Sequence, residues 1–302
     1  MRTLDQITAL TLGMAWGKSF DGLCALAHQQ YAASADAIEV LAEHALPAGL
    51  RAYNLARLGT GLCLTTHMGE KRLVFMDADG RFEVGPAYPD AFASMLTADS
   101  TENSIVLGAI GQNRLLRFSC SGAPLQAIEL CPAQKGFGIW RMCPVEDRVL
   151  VICKSSHNAQ LLLLAHLGHP QVDRIDCCGI LAGTTNRVRY HGGKLYFLQN
   201  SGPHVLVAKL DHAQHRLELV DVKALHGCSP MGFDVTDAGA VVAWNDCIIR
   251  LDNTFTPTFN ASVNGFESMD VLHTNTDRDT FWIRNQDYSA LLLARLRPAN
   301  QD

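Results

Sequence analysis

Asp234, Glu267 and Asp270 are the carboxylates of this 302-residue sequence whose type and placement suit a hard divalent cation. All three lie in or beside short apolar runs. Ca2+ takes about six to eight oxygen ligands, so three carboxylates would need complements, and Asn54 and Asn186 are the candidates. A cation held that way can polarise a carbonyl and activate water, which is hydrolase chemistry. A second set is of another kind: Phe137, Trp140, Arg141, Arg187, Met231, Phe233 and Phe266. Aromatic and arginine side chains are the types most enriched where one protein grips another. Each of them alone also fits an ordinary core or surface role.

Other motifs carry less. His166 and His169 are three apart, as are His212 and His215, but both pairs fall at predicted hairpin turns and no Cys-x-x-Cys accompanies them. Cys177-Cys178 is a vicinal pair, yet a reactive thiol needs an electropositive setting, and Arg174 is the only cation near it in sequence. Gly13-Met14-Ala15-Trp16-Gly17-Lys18-Ser19 has three residues between its glycines where a phosphate-binding loop has four, so no nucleotide is expected. No Gly-x-Ser-x-Gly elbow is present.

A net charge of −5 with scattered basic residues argues against nucleic acid as the main partner. No apolar stretch reaches the roughly 18 residues a membrane span needs. The run Ile7–Trp16 follows Arg2 but is read as a strand rather than a signal peptide, because Asp5 and a poor cleavage site oppose the latter. Ten cysteines, several inside predicted strands as in Leu62-Cys63-Leu64 and Ile152-Cys153, read as small buried hydrophobes. That usage points to a reducing, cytoplasmic setting.

The elements that would position these residues follow a repeat. Apolar runs open at Leu62, Ile105, Val149, Leu195, Val241 and Phe281, at intervals of 43, 44, 46, 46 and 40 residues. Around Val149 the unit reads as four strands: Ile139–Met142, Val149–Ile152, Leu161–Leu164 and Val172–Ile175. Third strands recur at Leu73–Met76, Leu115–Phe118, Val205–Val207, Ile248-Ile249 and Leu291–Leu293. Outer strands with alternating charge recur at Phe82–Val84, Ala127–Leu130 and Leu217–Val220. Short strands in a repeat of roughly 40–50 residues resemble the β-propeller class, although neither the WD40 nor the kelch motif is present. The resemblance implies an all-β propeller of four-stranded antiparallel blades in a single domain, 1–302.

Residues 58–297 supply six clear repeats, and 1–57 are an atypical first blade or an N-terminal extension. Ile7–Trp16, Gly22–His28 and Ala37–Leu41 can be fitted as strands of a seventh blade, so seven are preferred and six are the alternative. Tyr31–Ala45 also reads as a helix. The links from each outer strand to the next inner strand are long and glycine-bearing, and the aromatic and arginine set lies beside them. The favoured function is a non-catalytic scaffold that engages a protein or peptide partner through that loop face, without a cofactor. The alternative is a propeller hydrolase of the lactonase kind with Ca2+ in a central channel, held by Asp234, Glu267 or Asp270.

Overall fold

A computed structural model of the chain describes residues 37–66, 71–88, 93–99, 101–109, 113–130, 136–155, 157, 159–181, 185–199, 204–225, 232–244, 247–262, 270–274, 279–284 and 288–297. Every regular element among them is a β-strand. The first strand, β1 (Ala37–Ala45), stands apart from the strands that follow it. Blade one is β2 (Ala52–Leu58), β3 (Gly61–Thr66), β4 (Arg72–Met76) and β5 (Phe82–Ala87). Blade two is β6 (Ala93–Ala98), β7 (Ser104–Ala109), β8 (Arg114–Ser119) and β9 (Pro124–Glu129). Blade three is β10 (Phe137–Val145), β11 (Arg148–Ser155), β12 (Gln160–His166) and β13 (Val172–Ile175).

Blade four follows as β14 (Thr185–His191), β15 (Lys194–Gln199), β16 (His204–Asp211) and β17 (Arg216–Ala224). Blade five is β18 (Gly232–Thr236), β19 (Gly239–Trp244), β20 (Cys247–Leu251) and β21 (Pro257–Ser262). The sixth sheet holds β22 (Asp270–His273), β23 (Thr280–Arg284) and β24 (Ala290–Arg297), with β1 as its outer strand. These are the six blades of a β-propeller.

The blade count corrects the preference for seven. The segment Ile38-Glu39-Val40 is an edge strand as its alternation implies, but it completes the sixth sheet instead of opening a seventh. Arg297 of β24 donates to Glu39 of β1 at 2.8 Å. The helix reading of Tyr31–Ala45 fails over residues 37–45, which are strand. There Ile38 packs on the apolar cluster of Leu292 and Leu296 and the strand pairs with β24, a tertiary contact that overrides the helix propensity of the alanines. Ile7–Trp16, Gly22–His28 and the Gly13–Ser19 motif lie outside the described residues.

Packing explains why the central runs are continuously apolar. The described sheets form two compact units: blades one to three belong to one, and blades four to six to the other, except that His44 and Ala45 of β1 and Ala290 and Leu291 of β24 group with the former. In the first unit, Ile105 and Leu107 of β7 pack with Cys63 and Leu73 of blade one, while Val106 between them packs with Val149 and Val151 of blade three. In the second unit, Ala240 and Val242 of β19 join Val205 and Phe233, while Val241 and Ala243 join Phe281 and Ile283. Successive side chains of a strand point to opposite faces, so a sheet buried on both faces needs both parities apolar. Fully buried Phe197, Phe233 and Phe281 each contribute on the order of 2–3 kcal/mol by leaving water.

Side-chain oxygens close the outer hairpins. Asp77 Oδ1 accepts from the N–H groups of Asp79 and Arg81 at 2.9 and 2.8 Å, and Gly80 takes the left-handed φ of 78° that the turn requires. Ser119 and Asp252 do the same in blades two and five. Cys63 and Cys153 are buried reduced thiols; burial pushes the first far above its ordinary range and the second up to about 12. They pack as hydrophobes, as their place in the strands implies. Among the described residues no helix is long and apolar enough to cross a membrane.

Candidate partner-binding site

The inner strand of four successive blades begins with the same irregularity. Pairing with the second strand slips by one residue between Ala52 and Asn54, Ala93 and Met95, Ile139 and Arg141, and Thr185 and Arg187. The residues squeezed out of the ladder are Tyr53, Ser94, Trp140 and Asn186. A bulge bends its strand and re-aims the extra side chain, which is why bulges gather beside functional sites. The backbone device repeats while the residue on it changes from tyrosine to serine, tryptophan and asparagine. The bulge itself therefore does not call for one residue type in all four blades.

Trp140 has the richest surroundings of the four. The Arg141 guanidinium lies 4.1 Å from the centroid of its indole, and the Lys154 ammonium lies 4.4 Å from it. Lys154 reaches across from β11, where its register partner is Gly138, which presents no side chain to block it. Arg141 Nη1 donates to the carbonyl of Trp140 at 2.7 Å, which fixes the guanidinium beside the ring. All three side chains are half-buried. A cation over an indole is attracted by the ring quadrupole, by about 0.5–1 kcal/mol at exposed sites and about 2 when desolvated. Phe137 opens the same strand and packs, partly covered, against the core that contains Ile139 and Cys153. The structure thus brings Phe137, Trp140 and Arg141 to one strand end and adds Lys154.

The remaining residues of the aromatic and arginine set are placed differently. Arg187 occupies in blade four the register position that Arg141 has in blade three, and its Nη1 likewise donates to the preceding carbonyl, at 3.1 Å. Phe233 is 0% exposed and central to an apolar cluster with Val205 and Val242, so it cannot touch a partner. Its position beside a glycine-bearing link suggested an exposed loop residue, but the inner strand has already entered the core there. Met231 and Phe266 lie outside the described residues.

The carboxylate set is not gathered. Asp234 is buried, and Arg189 Nε donates to its Oδ1 at 2.9 Å, so a guanidinium already supplies its counter-charge. A fixed cation beside the carboxylate opposes a second one, whichever oxygen would bind it. Asp234 as placed does not fit the metal. Asp270 pairs in register with Arg284, its side chain lying outside the described residues together with Glu267. Asn54 uses its side chain on Thr65, 3.4 Å from Nδ2 to Oγ1, and Asn186 is 5% exposed. Among the described residues no group of three histidine, cysteine or acidic side chains could hold a metal. His166 contacts Asp173 at 2.8 Å, and His169, His212 and His215 are exposed turn residues.

Neither a protein-family profile nor a curated protein matches this sequence. Solved structures do match in fold. The β-propeller domain of Cps50 (Swd1) from Myceliophteria thermophila aligns with a TM-score of 0.60 at 7% identity, over 86% of this chain and 100% of that one. The WD40 β-propeller domain of Doa1 gives 0.56 at 11% identity, over 85% and 96%. XC5397 from Xanthomonas campestris, a gluconolactonase, gives 0.62 at 12% identity, over 87% and 90%. The fold is a β-propeller. Identities this low carry the architecture and no activity.

Proposed function

We propose that this protein is a non-catalytic binding or scaffolding propeller that engages a protein or peptide partner at the start of its inner strands, centred on Trp140 of blade three. The observation that carries the reading is the cluster of Trp140, Arg141 and Lys154 on a backbone bulge. Tryptophan and arginine are the commonest anchors of protein interfaces, and truncating such an anchor typically costs about 2 kcal/mol or more of binding, roughly 30-fold in affinity.

The test is capture from a native cell lysate with the full chain as bait. Trp140→Ala and Arg141→Ala should each lose most of the captured partner while melting as cooperatively as the parent. Capture unaffected by both substitutions rejects the reading. A second reading, a metal-assisted hydrolase, draws on the fold shared with the gluconolactonase XC5397. The Arg189 guanidinium on Asp234 speaks against it.

A further inference from the structure

We infer that the Trp140–Arg141–Lys154 cluster docks an acidic peptide segment, one that presents Asp or Glu side chains. This rests on the reading above, that a peptide or protein partner engages blade three at this end. The geometry first excludes the opposite chemistry. An open indole can recruit a cationic ligand such as a methylated lysine. Here the ring already has the protein's own Arg141 at 4.1 Å and Lys154 at 4.4 Å, so it holds cations in place instead of awaiting one. The indole offsets the repulsion of two like charges held close together, and the three residues concentrate positive charge at this strand end.

Lys154 strengthens the point. Among the described residues its side chain's only interaction is the one with the Trp140 ring; no carboxylate pairs with it. A lysine whose ammonium rests on an indole, with no carboxylate of its own chain, can accept an anion from a partner. Arg141 adds a planar fork whose orientation is fixed by its bond to the Trp140 carbonyl, and such a fork matches a carboxylate better than a lysine does. Phe137, partly exposed at the start of the same strand, offers an apolar neighbour for the stem of an incoming Glu. The whole chain carries a net charge of −5, so this small positive spot can select a local acidic segment but not an extended polyphosphate, which needs a long basic stripe.

The experiment uses the full chain and two fluorescein-labelled peptides, one of alternating Glu and Ser and one of alternating Gln and Ser, followed by anisotropy. The Glu peptide should bind at least about tenfold more tightly than the Gln peptide, and raising salt should weaken it. Lys154→Ala should cost about fivefold and Lys154→Glu should abolish binding, both with unchanged melting. Tryptophan emission should change on binding and no longer change in Trp140→Phe. Equal binding of the two peptides, or indifference to Lys154→Glu, overturns the inference. A single-stranded oligonucleotide that binds more tightly than the Glu peptide in a Lys154-dependent manner overturns it as well, in favour of nucleic acid. If lysate capture depends on Trp140 and Arg141 while the Glu peptide does not bind, the acidic assignment alone falls. If capture is also indifferent to them, the proposed function falls with it.

Discussion

His204 opens β16 with 3% of its surface exposed and its Nδ1 without a hydrogen-bond partner. The buried polar side chains at that end of blade four are neutral: Thr185, Asn186 and Gln199, the last donating to Thr185 Oγ1 at 3.2 Å. Burial therefore holds the His204 pKa below its ordinary value. A base whose pKa is depressed on folding binds fewer protons in the native state, so stability falls as pH drops through the unfolded-state value of about 6.5. His204→Gln removes this term. Urea midpoints measured from neutral pH down to about pH 5 should fall more steeply for the parent than for the variant. Parallel curves would mean that the imidazole does not titrate across folding. At this scale the sequence is only partly legible. Trp140 and Arg141 stand out by type, but Lys154 does not. Counting back from the Val145–Arg148 pair, a regular ladder would place Ser155 opposite Gly138; only the bulge at Trp140 brings Lys154 there. Nothing in residue type announces a one-residue slip.

At the scale of elements, the repeat is legible because each blade must bury both faces of its middle strands. Val149–Ile152 and Leu161–Leu164 read as continuous apolar runs and are the centres of β11 and β12. What could not be read was where a lone edge strand goes. Ala37–Ala45 has the alternation of an outer strand, and alternation identifies the strand without naming its partner. The structure sets it against β24, with Ile38 packed on the cluster containing Leu292 and Leu296, while Val40 remains 48% exposed. That difference is testable within one strand. Ile38→Asp puts a carboxylate against apolar neighbours and should cost about 1–3 kcal/mol in urea unfolding. Val40→Asp, two residues on and pointing to solvent, should stay within about 0.5 kcal/mol of the parent. Equal effects would mean that Ile38 is not seated on that cluster. The outer position also suits its charge, since Glu39 paired to Arg297 discourages a further strand from adding.

For the whole molecule the question is whether a propeller scaffold with this sequence holds a metal, because the same fold serves binding proteins and hydrolases alike. The decisive residue is Asp234. Its side chain is 6% exposed and is compensated by Arg189 at 2.9 Å, so a divalent ion there would sit beside a guanidinium that repels it. A buried ion pair is costly to break because the partner left behind stays charged and unpaired, roughly 3–5 kcal/mol. The tag-free chain should therefore melt at the same temperature before and after treatment with a chelator, and elemental analysis should find no stoichiometric Ca2+ or Zn2+. Asp234→Asn should lower the melting temperature by leaving Arg189 without its anion, and should do so equally with and without chelator. The opposite result has a clear size. An ion present at about one hundred times its Kd stabilises the folded state by about 2.7 kcal/mol, which a chelator would remove as a visible drop in Tm. Such a drop, absent from Asp234→Asn, would make Asp234 a ligand and turn the screen from peptides to esters and lactones.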